Sequence, residues 1–188
     1  NPKVMEPHLK KKLLSLARKV LENELYNSHN DLEKYNIEAL QQKNGVFVTL
    51  LKNENLRGCI GRIESDLSLY QNVIHLSKAA AFNDHRFDKV TAEELEKIII
   101  EISILSIPKT VEGISSFDKI MKIRPRKDGV VLSAGSKSAT FLPQVWDTLA
   151  IREDFISDLC RKAGLSKAYW KNNPIEISTY QVDFFKED

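Results

Sequence analysis

Leu9, Leu13, Leu14, Leu16, Ala17, Val20, Leu21 and Leu25 recur in steps of three and four, the spacing of one helical face, and predict an amphipathic helix over residues 9–25. Lys10, Lys11, Lys12 and Arg18 fall on its wet side and read as a solvated face. Residues 27–44 are polar and weakly periodic, a connecting segment with room for a short helix. From Gly45 the pattern changes. Residues 46–52 are rich in β-branched and aromatic types, Lys52-Asn53-Glu54-Asn55 has turn chemistry, and residues 56–63 supply a second strand, so a hairpin is predicted. Leu69, Tyr70, Val73, Ile74, Ser77, Ala80 and Ala81 then trace the inner face of a helix over residues 67–82, with His75 off that face.

In the second half, Thr91 and Glu94 form a T-x-x-E capping pattern ahead of a short helix, and residues 98–107 are a β-prone run that stops at Pro108. Ser115 or Ser116 caps another short helix to Lys122, and residues 124–129 make a turn before a strand over 130–133. A further strand over 138–142 stops at Pro143-Gln144-Val145-Trp146. Phe155, Ile156, Leu159, Cys160 and Ala163 line the inner face of a helix that Gly164 terminates. Residues 175–185 alternate Ile175, Ile177 and Thr179 against Glu176, Ser178 and Tyr180 and predict one final strand. Strand pairs interleaved with helices indicate an α+β fold, with antiparallel sheets covered by helices.

A length of 188 residues suits one large domain or two small lobes, here a tail over residues 1–8 followed by a domain over 9–188. With 28 basic against 26 acidic side chains the net charge is +2, a poor footprint for non-specific nucleic-acid binding. No apolar run reaches membrane-spanning length and the first residues are not a signal peptide, which leads us to expect a cytoplasmic protein. Asn1 is not an initiator, so the sequence leaves open whether the chain is a piece of something longer.

Cys59 and Cys160 are too few for a disulfide framework, and the four histidines stand apart, with no C-x-x-C and no H-E-x-x-H. No metal and no cofactor is therefore expected. The segment Leu56-Arg57-Gly58-Cys59-Ile60-Gly61 is the strongest chemical candidate. If it is extended, Arg57, Cys59 and Gly61 share one face, and a guanidinium beside a thiol favours the thiolate. The alternative is a packed thiol acting as a small hydrophobe. The dense cluster Asn83-Asp84-His85-Arg86-Phe87 either caps a helix with one aromatic anchor or completes a site with Cys59. Gln144 and Trp146 could line a pocket, or Trp146 could be a core residue with its indole N–H satisfied. The basic residues Lys119, Lys122, Arg124, Arg126 and Lys127 read as a solvated loop ahead of a phosphate site.

Several of these segments occur in an order that resembles the AMMECR domain family, known in prokaryotes as protein A of the AmmeMemoRadiSam system. LRGCIG at residues 56–61 is similar to the family signature. Similar in turn are GVFVTL at 45–50, AAFNDHRF at 80–87, IEIS at 100–103, DGVVL at 128–132, ATFLPQVW at 139–146 and the Phe155 to Leu165 segment. The family commonly has proline where His85 stands and again near Lys89 or Val90, a departure that bears on loop geometry. The resemblance implies a single compact α+β domain, often two-lobed, with the cysteine signature near the groove. It also implies partnership with a Memo-type protein, related to extradiol dioxygenases, and with a radical-SAM enzyme. It implies no established reaction.

Three functions follow for weighing. In the first, an enzyme subunit, Cys59 is a nucleophile or covalent carrier, Arg57 lowers its pKa or binds an anion, the N–H groups around Gly58 and Gly61 steady negative charge, and Asp84 and Arg86 complete the site. In the second, a binding or adaptor module, Arg57, Arg86, Gln144 and Trp146 recognise an anionic or aromatic small molecule without turning it over. Nucleic-acid binding is the third and least favoured.

Overall fold

A computed structural model describes residues 4–188, so the first three residues of the expected tail lie outside the described residues. In chain order the elements are α1 (Pro7–Tyr26), β1 (Gly45–Lys52), β2 (Asn55–Arg62), α2 (Leu69–Phe82), β3 (Ile98–Leu105), β4 (Lys109–Thr110), α3 (Ser116–Met121), β5 (Gly129–Ala134), β6 (Lys137–Phe141), α4 (Arg152–Lys162), α5 (Tyr169–Asn172), β7 (Glu176–Tyr180) and β8 (Val182–Lys186). Short 3₁₀ turns fill part of the connecting segment, at Glu33–Tyr35 and Glu38–Leu40. The α+β reading stands: there are two antiparallel-paired four-stranded sheets, each in its own compact unit. The first unit runs to Leu105 and takes back Asp183–Asp188; the second is Ser106–Val182.

In the first unit the strand order is β2-β1-β3-β8. The predicted hairpin forms with Lys52 opposite Asn55, and its two loop residues, Asn53 and Glu54, both have positive φ (50° and 63°). This is the turn geometry whose twist matches that of paired strands. One face of the sheet, with Val46, Val48, Leu50, Ile100 and Ile102, is buried in the same core as Leu13, Leu16, Ala17, Val20 and Leu21 of α1 and Leu69, Val73 and Ala80 of α2. Each such Val, Leu or Ile side chain contributes about 1.5–3 kcal/mol by leaving water. The helix α1 begins at Pro7, two residues ahead of the periodic run, because proline suits a first turn whose N–H groups need no helical partner. The end of α2 lies directly on β2: a Cβ on Gly58 would stand 2.1 Å from the Ala80 carbonyl oxygen. Only glycine permits that approach.

In the second unit the order is β4-β7-β5-β6, over a core that includes Ile120, Val130, Leu132, Trp146, Phe155, Ile156 and Cys160. Ser115 accepts from Asp118 N–H as the cap of α3, and Gly164, φ 82°, follows the Ala163 C-cap of α4. The basic residues on and after α3 are largely engaged: Lys119 donates to Ile175 O, Lys122 to Glu112 O, and Arg124 forks onto buried Asp128.

The single final strand does not form. Residues 175–185 are two strands, β7 and β8, belonging to different sheets. Gln181 stands between them, with its N–H on Ser106 Oγ and its carbonyl accepting from Ser106 N–H. The simple alternation already fails inside β7, where Ile177 and Tyr180, three residues apart and so on opposite faces, are both buried.

Candidate functional site

Cys59 lies on β2, the edge strand of the first sheet, opposite Thr49 on β1, which is in turn opposite Glu101 on β3. Its N–H does not point into the sheet but out, to Asp84 Oδ2 at 2.9 Å. Cys59 and Thr49 are therefore a non-hydrogen-bonded pair, the kind whose side chains come closest, and Thr49 Oγ1 donates to Cys59 Sγ at 3.2 Å.

Asp84 is delivered to that edge by the end of α2. Its side chain is 5% exposed, and the carboxylate accepts from Cys59 N–H, from Arg86 N–H (3.2 Å), and from Arg86 Nε and Nη2 (3.0 and 2.7 Å). Arg86 Nη2 also reaches Cys59 O at 3.4 Å. The pair takes the N–H and serves the C=O that an edge strand would otherwise present to another chain. The Arg86 hydrogen bonds hold the Asp84 carboxyl well below the usual carboxylate range, against the opposing effect of burial. Arg86 itself keeps 58% of its side chain exposed and lies over the Phe87 ring.

Arg57 does not serve the thiol. The β1–β2 register slips between Leu50 opposite Gly58 and Leu51 opposite Leu56, leaving Arg57 as an unpaired bulge residue. Its guanidinium forks onto Glu94 (2.9 and 3.1 Å) and donates to Asp88 O (2.8 Å). Glu94 also takes Lys52 Nζ and Thr91 N–H, and these partners, Arg57 first, hold it well below its ordinary range. The thiolate expected of Cys59 is not favoured either. Burial pushes the half-buried thiol up, Asp84 and Glu101 add to this, and the Thr49 hydrogen bond and Arg86 only partly oppose it. Glu101 is likewise raised by burial, with Lys186 opposing.

Of the backbone groups assigned to negative charge, Cys59 N–H is taken by Asp84, and the ladder alternation turns Gly58 N–H toward Leu50. Gly61 is covered by Phe47, whose ring a Cβ there would meet at 2.3 Å. Gln144 is exposed in the second unit. Trp146 is fully buried there: its indole donates to Asp128 O at 2.7 Å and its ring stacks on Phe155 at 3.7 Å. The core alternative describes it, and it offers no surface to a ligand. Thr49, Glu101 and Glu94 are the participants that sequence reasoning missed. Beside them Arg57, His85, Arg86, Phe87, Asp88 and Glu94 line an open hollow of about 530 Å³.

The AMMECR1 family profile matches residues 14–185. The chain belongs to the AMMECR1 family. Protein LS215_2104 of Saccharolobus islandicus is 35% identical over 185 residues, covering 93% of this chain and 80% of its own length. Protein MK0488 of Methanopyrus kandleri is 34% identical over 184 residues, covering 94% and 87%. The crystal structure of the uncharacterized protein PH0010 from Pyrococcus horikoshii superposes with a TM-score of 0.88 at 29% identity, covering 98% of this chain and 94% of that one. These AMMECR1 relatives carry locus names and no reaction. Among the described residues no group of three or more His, Cys, Asp or Glu could hold a metal ion, and no helix is long and apolar enough to cross a membrane.

Proposed function

We propose that this AMMECR1 protein is a ligand-binding component of the AmmeMemoRadiSam system, acting in the cytoplasm beside a Memo-type and a radical-SAM protein, and that it recognises an anionic small molecule at the Arg86 guanidinium. Arg86 carries this reading. Its guanidinium is pinned on one side by Asp84 and Cys59 O, yet more than half of the side chain is exposed at the 530 Å³ hollow. A fixed guanidinium has already lost the freedom that binding would otherwise remove, and it suits carboxylate or phosphate.

Binding is favoured over nucleophilic catalysis because the thiol is pushed up rather than down and its own N–H is engaged. One observation favours the second reading, a thiol-dependent enzyme subunit: the Thr49 hydroxyl donates to Sγ and would steady a thiolate once formed. Nucleic-acid binding has the least support, since Lys119, Lys122 and Arg124 are committed to partners within the second unit.

The test is native mass spectrometry of the full chain copurified with its Memo-type and radical-SAM partners. An anionic small molecule that travels with the protein and is lost on Arg86→Gln is the expected result. A chain that forms no complex and carries nothing would overturn the proposal. Retention of the ligand as a covalent adduct on Cys59 would move the reading to the enzyme.

A further inference from the structure

Away from Cys59, the second unit leaves large apolar side chains in water beside a pocket whose charged lining is all positive. Ile114 is fully exposed, and Phe117 and Met121 are 55% and 45% exposed. The last two stand four residues apart on α3 and so share a face. Ile114 and Phe117 open onto a hollow of about 560 Å³ that Trp170 and Ile175 also line. Lys119 and Lys171 are the charged residues of this lining, which contains no carboxylate. Both are held in place, Lys119 by Ile175 O at 2.9 Å and Lys171 over the Trp170 ring at 5.5 Å. The neighbouring Asp118 is not in the lining; its carboxylate beside Gly113 accepts from Ile114 N–H (3.0 Å) and is paired with Lys122 (3.5 Å).

We propose that this pocket docks a segment of a partner protein in which a large aromatic or aliphatic side chain is flanked by acidic residues. Exposed large apolar side chains at the mouth of a concave site, here Ile114 and Phe117, mark an interaction surface, and the volume accommodates one large anchor with its flanks. The charge decides the class of partner. Two positioned ammonium groups with no carboxylate in the lining attract an acidic segment and repel a basic one, which gives specificity as well as attraction. The inference is independent of the Arg86 site: it uses other residues, in the other unit.

The experiment pans random peptides displayed on phage against the immobilised full chain, and measures a representative selected peptide by fluorescence anisotropy. Peptides combining acidic residues with Phe, Trp or Leu should be enriched. Phe117→Ser should weaken the representative at least about tenfold, the range of an anchor residue. Lys171→Glu should shift selection away from acidic flanks. Phe117 and Lys171 are exposed, so both variants should keep the parental circular dichroism. No enrichment, enrichment of basic peptides, or the same peptides selected by Phe117→Ser would overturn the proposal. So would concentration-dependent self-association that Phe117→Ser abolishes, because the occupant would then be a second copy of this chain.

Discussion

Arg86→Ala should destabilise the protein in a way that depends on pH. The substitution removes the Nε and Nη2 donors from Asp84 and leaves the carboxylate, on a side chain 5% exposed, with two backbone N–H groups as its remaining partners. Deleting one member of a fully buried pair costs about 3–5 kcal/mol, and an exposed pair contributes about 0–1. Here one partner is buried and the other 58% exposed, so the loss at pH 7 should fall between, near 2 kcal/mol. For a chain of this size that lowers Tm by about 4–8 °C. The sign with pH follows from the depressed Asp84 pKa. Its contribution is fully present above the unfolded carboxylate value of about 3.9 and is lost as pH falls through the lower folded value. Wild type and variant should therefore converge in acid, and Asp84→Asn added to Arg86→Ala should recover part of the loss by removing the stranded charge. Urea denaturation followed by far-UV circular dichroism measures this; Trp fluorescence does not suit, because Trp146 and Trp170 both lie in the second unit. A difference between wild type and variant that does not shrink as pH is lowered progressively below about 3.9, or no recovery with Asp84→Asn, would refute the electrostatic account.

Gly58→Ala drives a methyl into the Ala80 carbonyl oxygen, so it should cost about 1–3 kcal/mol or more as α2 is pushed from the sheet, read as a lower thermal midpoint. Glu54→Gly relieves a non-glycine residue at φ 63° in the hairpin turn and should stabilise by about 0.5–1 kcal/mol in the same melt. In peptide-resolved iodoacetamide labelling, Cys59 should titrate above the free-cysteine value of about 8.5, higher still with Arg86→Ala and unchanged with Arg57→Ala. Cys160, fully buried, should label only on unfolding.

Local signals carried the elements of this protein. The 3.6-residue period of Leu13 to Leu21, the Ser115 cap, Gly164 after α4 and the polar pair Asn53-Glu54 each act within a few residues, and the helices and hairpin arise where they predict. The ordered family motifs likewise identified the fold, and proximity of Asp84 and Arg86 to Cys59 was legible as two unexplained polar clusters at a strand and a helix end. What tertiary structure decided was register and direction. Counting back from the turn pairs Thr49 with Gly58; the bulge at Arg57 adds one residue and sets Thr49 against Cys59 instead. That slip gives the thiol its hydroxyl partner and sends Arg57 to Glu94, thirty-seven residues away in sequence. The sign of the thiol's shift was equally out of reach, since it depends on burial and on Glu101, two strands away. The break at Gln181 falls to the same cause. An alternating run specifies extended chain, but which sheet receives each half is settled by partners distant in the sequence, with Ser106 holding the point of change.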